Sequence, residues 1–340
     1  MLKKAKNYLL GFLKENYKFL IVLIAILLLF KIELPYKIYT PGGMVDLSNR
    51  VTVEGGYSSE GELGMAYVSM VRGNIPFLLL SYIIPDWDIV SNSEITYDNQ
   101  TFEEKLKADQ IATEQSVDSA IISAYKLANK PVEIKSENVN ITYIDDLANT
   151  DLQLFDKIIS VDGQKISNTK ELKKIINEHQ ENEEIALKVI RDGKEIDCSA
   201  KIYRVSDELK IGVAITVTYN YDENPKAEIK MKQSESGPSG GLMMSLAIYN
   251  ALTEEDITKG KKIIGTGTID VDGNVGEISG IKYKLIGAVK NNAEVFLVPV
   301  GNYDEALEVK NAKNYDITLI KVSTLEEAVT ALQNLQWIKL

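Results

Sequence analysis

The chain has one cysteine, Cys198, and one histidine, His179, among 340 residues. A lone thiol forms no internal disulfide and builds no cysteine-rich metal site; its place in an alternating, strand-like run reads as packing. A lone histidine excludes every metal site that needs two, and His179 sits in the polar run His179-Gln180-Glu181-Asn182-Glu183-Glu184. No metal or other cofactor is expected. If the chain carries out nucleophilic chemistry, a lysine is the expected base. Cations are also in deficit: 38 Lys and Arg face 49 Asp and Glu, a net charge of −11 with no basic stripe to offset it, so nucleic acid is not an expected partner. No Gly-x4-Gly-Lys-Ser/Thr loop occurs, which excludes a P-loop ATPase engine. No Pro/Gly/Ser-rich tract dominates, and 45% apolar residues suffice for real cores. The length predicts two or three folded units.

What is present begins with charge. Lys3, Lys4, Lys6, Lys14 and Lys18 precede an uninterrupted apolar run, Phe19 to Phe30, that ends at Lys31-Ile32-Glu33-Leu34-Pro35. Twelve helical residues rise only about 18 Å, short of the roughly 30 Å hydrocarbon core. With Lys18 and Lys31 snorkelling, the segment from Tyr17 to Leu34 comes within range. No small-residue cleavage site follows the run, which favours an uncleaved anchor over a cleaved signal. The cationic bias before it orients the N-terminus towards the cytoplasm. Residues 1–35 are therefore expected to be a cytoplasmic stub and single-pass transmembrane helix, with the rest outside the cell membrane.

Residues 36–130 read as a β-rich segment followed by a helix. Val51-Thr52-Val53 and Met65 to Val71 are strand-like, Gly42-Gly43 and Gly55-Gly56 mark turns, and no function follows from the stretch between Lys37 and Asn99. From Thr101 to Ala128 the period becomes helical, ending before Pro131. Residues 131–205 form a small β-rich module with a strand at Val139–Ile144, another through Lys157–Val161, a helix at Thr169–Glu178 and a hairpin at Arg191-Asp192-Gly193. The run Asp156-Lys157-Ile158-Ile159-Ser160-Val161-Asp162-Gly163 resembles the Gly-Asp-x-Ile-x-x-Val-Asn/Asp-Gly pattern of PDZ domains. That resemblance implies peptide binding by strand addition. Phe155 stands where the family has glycine, and no carboxylate-binding loop precedes the Val139 strand; a structural spacer is the alternative. Residues 206–340 alternate strands (Ile211–Thr218, Lys262–Ile269, Val295–Pro299) with helices (Gly240–Leu252, Lys282–Lys290, Tyr303–Asn311, Thr324–Leu335), as a layered α/β unit does.

Two features of this last region carry chemistry. Ser236-Gly237-Pro238-Ser239-Gly240-Gly241 lies between a strand and a helix that is apolar nearly all round, so that helix is expected to be buried. Glycines allow close approach of a substrate, and free N–H groups at a helix start stabilise an oxyanion; an ordinary capped turn is the plainer reading. The second is Lys282. With a helix over 281–290, positions 282, 285, 286 and 289 share a face that is apolar except for the lysine. Desolvation there would lower its pKa towards that of a general base; a snorkelling lysine is the alternative.

Together these features resemble the Lon-type Ser/Lys peptidase domain, which has Gly-Pro-Ser-Ala-Gly around its nucleophile and Gly-Gly-x-Lys-x-Lys around its base. Here the counterparts are Gly237-Pro238-Ser239-Gly240-Gly241 and Ser279-Gly280-Ile281-Lys282-Tyr283-Lys284. Thr266-Gly267, Gly273-x-Val275-x-x-Ile278 and Val298-Pro299 fall in family order. The departures are Ser236 where ATP-dependent Lon usually has Asp, Gly240 for Ala and Ser279 for Gly. The resemblance implies Ser239 as nucleophile and Lys282, 43 residues on, as base, with Thr266, Gly237 and Gly240 in support. The whole order of segments is similar to the YlbL/SepM group of PDZ-containing Lon-like serine proteases. The expectation is thus an α+β multidomain chain: transmembrane helix, β-rich segment, PDZ-like domain, Lon-type proteolytic α/β domain. It implies an ATP-independent endopeptidase acting on exported or extracellular polypeptides, including secreted peptides and membrane proteins. Lon domains tend to form rings, so a homo-oligomer is a further expectation. The rival readings are a catalytically idle, anchored peptide-binding scaffold and a glycine-rich anion site of the GHMP-kinase kind, for which Mg²⁺ ligands and a longer phosphate loop are not evident.

Overall fold

In chain order the elements are α1 (Leu2–Lys31), β1 (Tyr36–Asp46), β2 (Val51–Val53), β3 (Glu62–Arg72), α2 (Ile75–Ser81), β4 (Asp88–Ser91), α3 (Asn92–Ile95) and the long α4 (Phe102–Leu127). There follow β5 (Val132–Ile144), β6 (Lys157–Val161), β7 (Gln164–Lys165), α5 (Thr169–Asn177), β8 (Glu184–Arg191), β9 (Lys194–Lys201), β10 (Tyr203–Val205), β11 (Glu208–Lys210) and β12 (Val213–Glu223). The last stretch holds β13 (Ala227–Ile229), α6 (Gly241–Leu252), β14 (Lys262–Gly265), β15 (Thr268–Ile269), β16 (Val275–Gly276), α7 (Ile281–Lys290), β17 (Val295–Pro299), α8 (Tyr303–Ala312), β18 (Thr318–Val322) and α9 (Leu325–Asn334). This computed structural model describes residues 2–97, 100–232 and 234–335, with only the backbone of 2–9. The side chains of Lys3, Lys4 and Lys6, all of Asn99, and residues 336–340 lie outside the described residues.

The chain divides into two compact units, Met1–Pro41 with Val68–Ile95, and Gly42–Tyr67 with Thr96–Leu340. In the first, α1 ends against the start of α2: Asn74 caps α2 by accepting from Phe77 N at 3.0 Å, and its amide donates to Phe30 O at 3.3 Å. Among the described residues no helix is long and apolar enough to cross a membrane. The expected transmembrane helix is therefore not confirmed. The helix is present, but Lys14, Glu15 and Lys18 interrupt it before Phe19, and it stops at Lys31, so Ile32 and Leu34 add nothing to its apolar length. Its apolar side chains are nonetheless open, Phe19 at 66% and Ile21 at 60% exposure.

The second unit corrects the placing of the β-rich segment. Strand β3 runs parallel to β14, with Glu62 opposite Lys262 and Met65 opposite Gly265, in a sheet ordered β18-β17-β14-β3-β1. Strand β2 pairs with β13. The glycine at position 42 is required here, because a Cβ on it would lie 2.0 Å from the Tyr67 carbonyl oxygen. Residues that sequence reading set apart from the C-terminal region therefore build its sheet.

Helix α4 belongs to the same layer. Thr101 and Glu104 form a capping box at its start, which stabilises a helix by satisfying two otherwise orphaned N–H groups. Its buried face, including Ala120, Ile121 and Ala124, packs on α6, and Ser123 and Ser245 hydroxyls meet at 3.2 Å in that contact. As its composition predicts, α6 is buried: Leu242, Met243, Leu246 and Ile248 are all at 0% exposure.

Between α4 and β13 the chain makes a separate core. Its sheet runs β12-β5-β6-β8-β9, with β7 on β6, and Val139, Ile141, Ile158, Leu187 and Val189 pack beneath α5 through Leu172 and Ile175. Entry by β5 and exit by β12 are adjacent, since the two strands pair from Val132–Glu223 to Ile144–Val213. Cys198 is buried in this core, as its alternating run suggested. His179 is tied down locally, with Nδ1 2.9 Å from Ile175 O and Nε2 3.0 Å from Asp162.

Candidate active site

The loop between β13 and α6 adopts a conformation that only its glycines permit cheaply. Gly237 has φ 105° and ψ 155°, and Pro238–Gly240 then form a 3₁₀ turn that runs into α6. Ser239 is the middle residue of that turn and is half-buried. Its carbonyl accepts from Gly267 N at 2.9 Å and from Thr266 Oγ1 at 3.0 Å, which fixes the turn against the end of β14. The single strand expected over 262–269 is broken at Thr266-Gly267, and that break leaves the Gly267 N–H for the Ser239 carbonyl.

Helix α4 holds the same loop from the opposite side. Gly237 N donates to Thr113 Oγ1 at 2.8 Å, and Ser116 Oγ donates to Pro238 O at 3.0 Å. Gly240 and Gly241 are small because neighbours press on them. A Cβ on Gly240 would meet Met65 Sδ at 2.6 Å, and one on Gly241 would meet Ile269 Cγ2 at 2.7 Å. Neither Thr113 nor Ser116 stood out in the sequence; both lie in a polar stretch of an amphipathic helix, where hydroxyls carry no signature.

The base is where the structure departs from expectation. Gly280 takes a left-handed conformation at φ 73° and starts α7 at Ile281. The i, i+3, i+4, i+7 stripe that faces inward is Ile281, Lys284, Leu285 and Ala288, all at 4% exposure or less. Lys282 and Val289 share the outer, partly exposed face, and the Lys282 ammonium lies 5.4 Å from the Tyr283 ring centroid. Of the two lysines it is therefore Lys284, and not the expected Lys282, that is buried on the inward face. Lys284 Nζ donates to Thr266 Oγ1 at 3.1 Å, and Thr266 is itself fully buried. Burial pushes the Lys284 pKa down from 10.5 to about 8, because a low-dielectric surrounding disfavours the charged form. Thr266 thus joins the lysine to the backbone of Ser239, and the expected members Ser239, Thr266, Gly237 and Gly240 meet at one place.

Next to the turn lies a cleft of about 400 Å³ lined by Ser116, Ser119, Tyr219, Pro238, Asp270 and Asn274, among others. Among the described residues no cluster of His, Cys, Asp or Glu could hold a metal ion. The chemistry available is that of a hydroxyl, a depressed amine and backbone donors.

Residues 227–334 match the Lon protease (S16) C-terminal proteolytic domain, and residues 130–202 match the PDZ domain. The chain carries a Lon-type proteolytic domain preceded by a PDZ domain. The Lon protease of Neorickettsia sennetsu is 31% identical over 97 residues, which are 28% of this chain and 12% of that protein. That of Campylobacter concisus is 37% identical over 97 residues, with the same shares. That of Escherichia coli K12 is 32% identical over 101 residues, 29% of this chain and 13% of the relative. The chain thus spans about an eighth of the length of these relatives, 12 to 13%. Among solved structures, the PDZ domain of an SdrC-like protein from Listeria monocytogenes is similar over 24% of this chain and 92% of that one, at 15% identity and TM-score 0.23. The Lon-type match begins at β13, so β1 to β3 and α4, which complete its sheet and hold its loop, lie outside it.

Proposed function

We propose that the chain is a serine endopeptidase in which Ser239 is the nucleophile and Lys284 the general base. The observation that carries this is the buried Lys284 amine, depressed to about 8 and hydrogen-bonded through Thr266 to the residue that bears the nucleophile. The neutral amine takes the Ser239 hydroxyl proton as Oγ attacks the scissile carbonyl carbon. The C–N bond then breaks, the Lys284 ammonium gives its proton to the leaving amine, and water hydrolyses the resulting ester. Backbone N–H groups at the start of α6 are the candidates for holding the oxyanion.

The same reading extends to setting. Absence of a phosphate loop supports peptide-bond cleavage without ATP. The open apolar face of α1 from Phe19 to Phe30, bracketed by Lys14, Lys18 and Lys31, supports attachment to the cell membrane through residues 17–34 with the N-terminus in the cytoplasm. Exported polypeptides, among them secreted peptides and membrane proteins, are then the substrates, with the PDZ domain contributing to their capture. A homo-oligomer is part of the proposal by likeness to ring-forming Lon domains.

The test is labelling of the full chain by a fluorophosphonate probe without ATP. Ser239→Ala and Lys284→Ala should lose labelling and Lys282→Ala should keep it. Loss with Lys282→Ala and retention with Lys284→Ala would return the base to Lys282.

A further inference from the structure

We propose that α4, which precedes the PDZ domain in the chain, is the element that sets the nucleophile turn, with Thr113 and Ser116 as positioning residues. The proposal rests on the serine-peptidase reading of the site. Three consecutive residues of the turn are tied to fixed partners. Gly237 N is held by Thr113 Oγ1, Pro238 O by Ser116 Oγ, and Ser239 O by Thr266 Oγ1 and Gly267 N. Two of these four bonds come from one helix, on residues only three positions apart and so on one face. Thr113 and Ser116 are buried, at 7% and 2% exposure, so water does not replace a lost bond readily.

The polarity of the Thr113 contact is determined. Its hydroxyl hydrogen is used on Asp109 O at 2.7 Å, which leaves only lone pairs to face Gly237 N. Asp109 O lies 3.3 Å from the same N–H and is the weaker partner. Gly237 is the residue at φ 105°, where the turn departs from ordinary backbone, and the bond from Thr113 is what orients its peptide plane. Rotation of that plane would carry Pro238 and then Ser239 out of the place where Ser116, Thr266 and Gly267 hold them. A proteolytic unit cut at β13 would lack this support.

Helix α4 is anchored in turn by the strand that leaves the PDZ domain. Asp118 accepts from Tyr219 N at 2.8 Å, and Tyr219 lies on β12. The path from PDZ sheet to nucleophile therefore runs β12, Asp118, Thr113 and Ser116, Gly237 and Pro238.

The test compares Thr113→Val, Thr113→Ser and Ser116→Ala in the full chain, with three readouts. The first is the kcat and KM split on a peptide substrate, together with the rate of fluorophosphonate labelling. Thr113→Val removes the acceptor at constant shape and should lower kcat and the labelling rate about tenfold, the worth of one good hydrogen bond, with KM unchanged. Thr113→Ser should restore both. The second is thermal unfolding, which should move little between the Val and Ser variants. The third is amide hydrogen exchange over residues 236–242, which should quicken in Thr113→Val and needs no turnover. Unaltered exchange, or a kcat within twofold of wild type in Thr113→Val, overturns the proposal. If the wild type itself is not labelled, the peptidase reading fails, and the exchange result alone decides whether α4 sets the turn.

Discussion

Lys284 Nζ and Thr266 Oγ1 lie 3.1 Å apart in a place where neither side chain reaches water to any extent. This one contact joins the lysine of α7 to the broken strand that also grips Ser239, and it separates Lys284 from its neighbour Lys282 two positions earlier.

The depressed amine should govern the pH dependence of activity. Below about pH 8 Lys284 is an ammonium and cannot accept the serine proton, so kcat/KM should rise with pH through an apparent value near 8. Stability follows the same group. Its folded pKa is lowered, so between about pH 8 and 10.5 the unfolded chain binds more protons and stability rises with pH. Lys284→Met should abolish turnover and flatten that rise, and at pH 7 it should gain up to about 3 kcal/mol from relief of the buried charge. A pH–rate profile and melting curves of the two proteins check this; an unchanged pH–rate limb in Lys284→Met would exclude the assignment.

Thr266 is expected to act on the lysine as well as on the turn. Thr266→Val keeps shape but removes both the donor to Ser239 O and the acceptor for Nζ. Turnover should fall about 10- to 100-fold, the cost of one or two buried hydrogen bonds. Because a hydroxyl acceptor favours the charged amine, the apparent pKa in the rate profile should move lower still. Thr266→Ser should recover most of both. Steady-state kinetics across pH 6 to 10, on the order of the range spanned by ordinary His and Lys groups, would show the shift.

The turn around Ser239 was legible in the sequence because its conformation depends on local residue types: glycine at a positive φ, proline to begin the turn, and an apolar helix after it. The choice between Lys282 and Lys284 was not, because the stripes 282, 285, 286, 289 and 281, 284, 285, 288 both satisfy a helical period, and which one faces inward is set by packing against residues distant in the chain, Ile264 and Phe296 among them. The role of residues 37–99 was hidden for a different reason. Strand β3 pairs with β14 200 positions later, from Glu62 to Lys262, with the PDZ domain in between, and no local pattern encodes so distant a register. Thr113 and Ser116 show the same limit, since their partners lie 124 and 122 residues away.

Phe155 explains one departure from the PDZ pattern and can be tested. It has φ 74°, the left-handed region, where glycine carries no penalty and a bulky residue costs about 1–2 kcal/mol. Its ring lies 4.0 Å from Lys107 Nζ on α4, a contact worth about 0.5–1 kcal/mol when partly exposed. Phe155→Gly should therefore raise stability slightly, by up to about 1 kcal/mol, even though it removes a ring. Urea unfolding checks the sign. Any loss of stability would mean that the contacts of the ring outweigh the backbone strain.

Asp118 should give the junction between the PDZ domain and α4 its own pH response. Burial raises its carboxyl from 3.8 to about 6, the bond from Tyr219 N opposes that shift, and nearby Glu114 adds to it. A raised folded value means that the native state holds the proton more tightly than the unfolded one. The stabilising contribution is full below about pH 4 and is lost as pH rises through about 6. Asp118→Asn keeps an oxygen for Tyr219 N but cannot ionise. Its melting temperature should fall less than that of wild type between pH 4.5 and 7, roughly the window of a carboxyl shifted by burial, and should exceed it at neutral pH. Parallel pH dependences in the two proteins would place the Asp118 carboxylate in contact with water. Matched dependences of kcat would further mean that the β12 to α4 link bears on folding and leaves the nucleophile turn untouched.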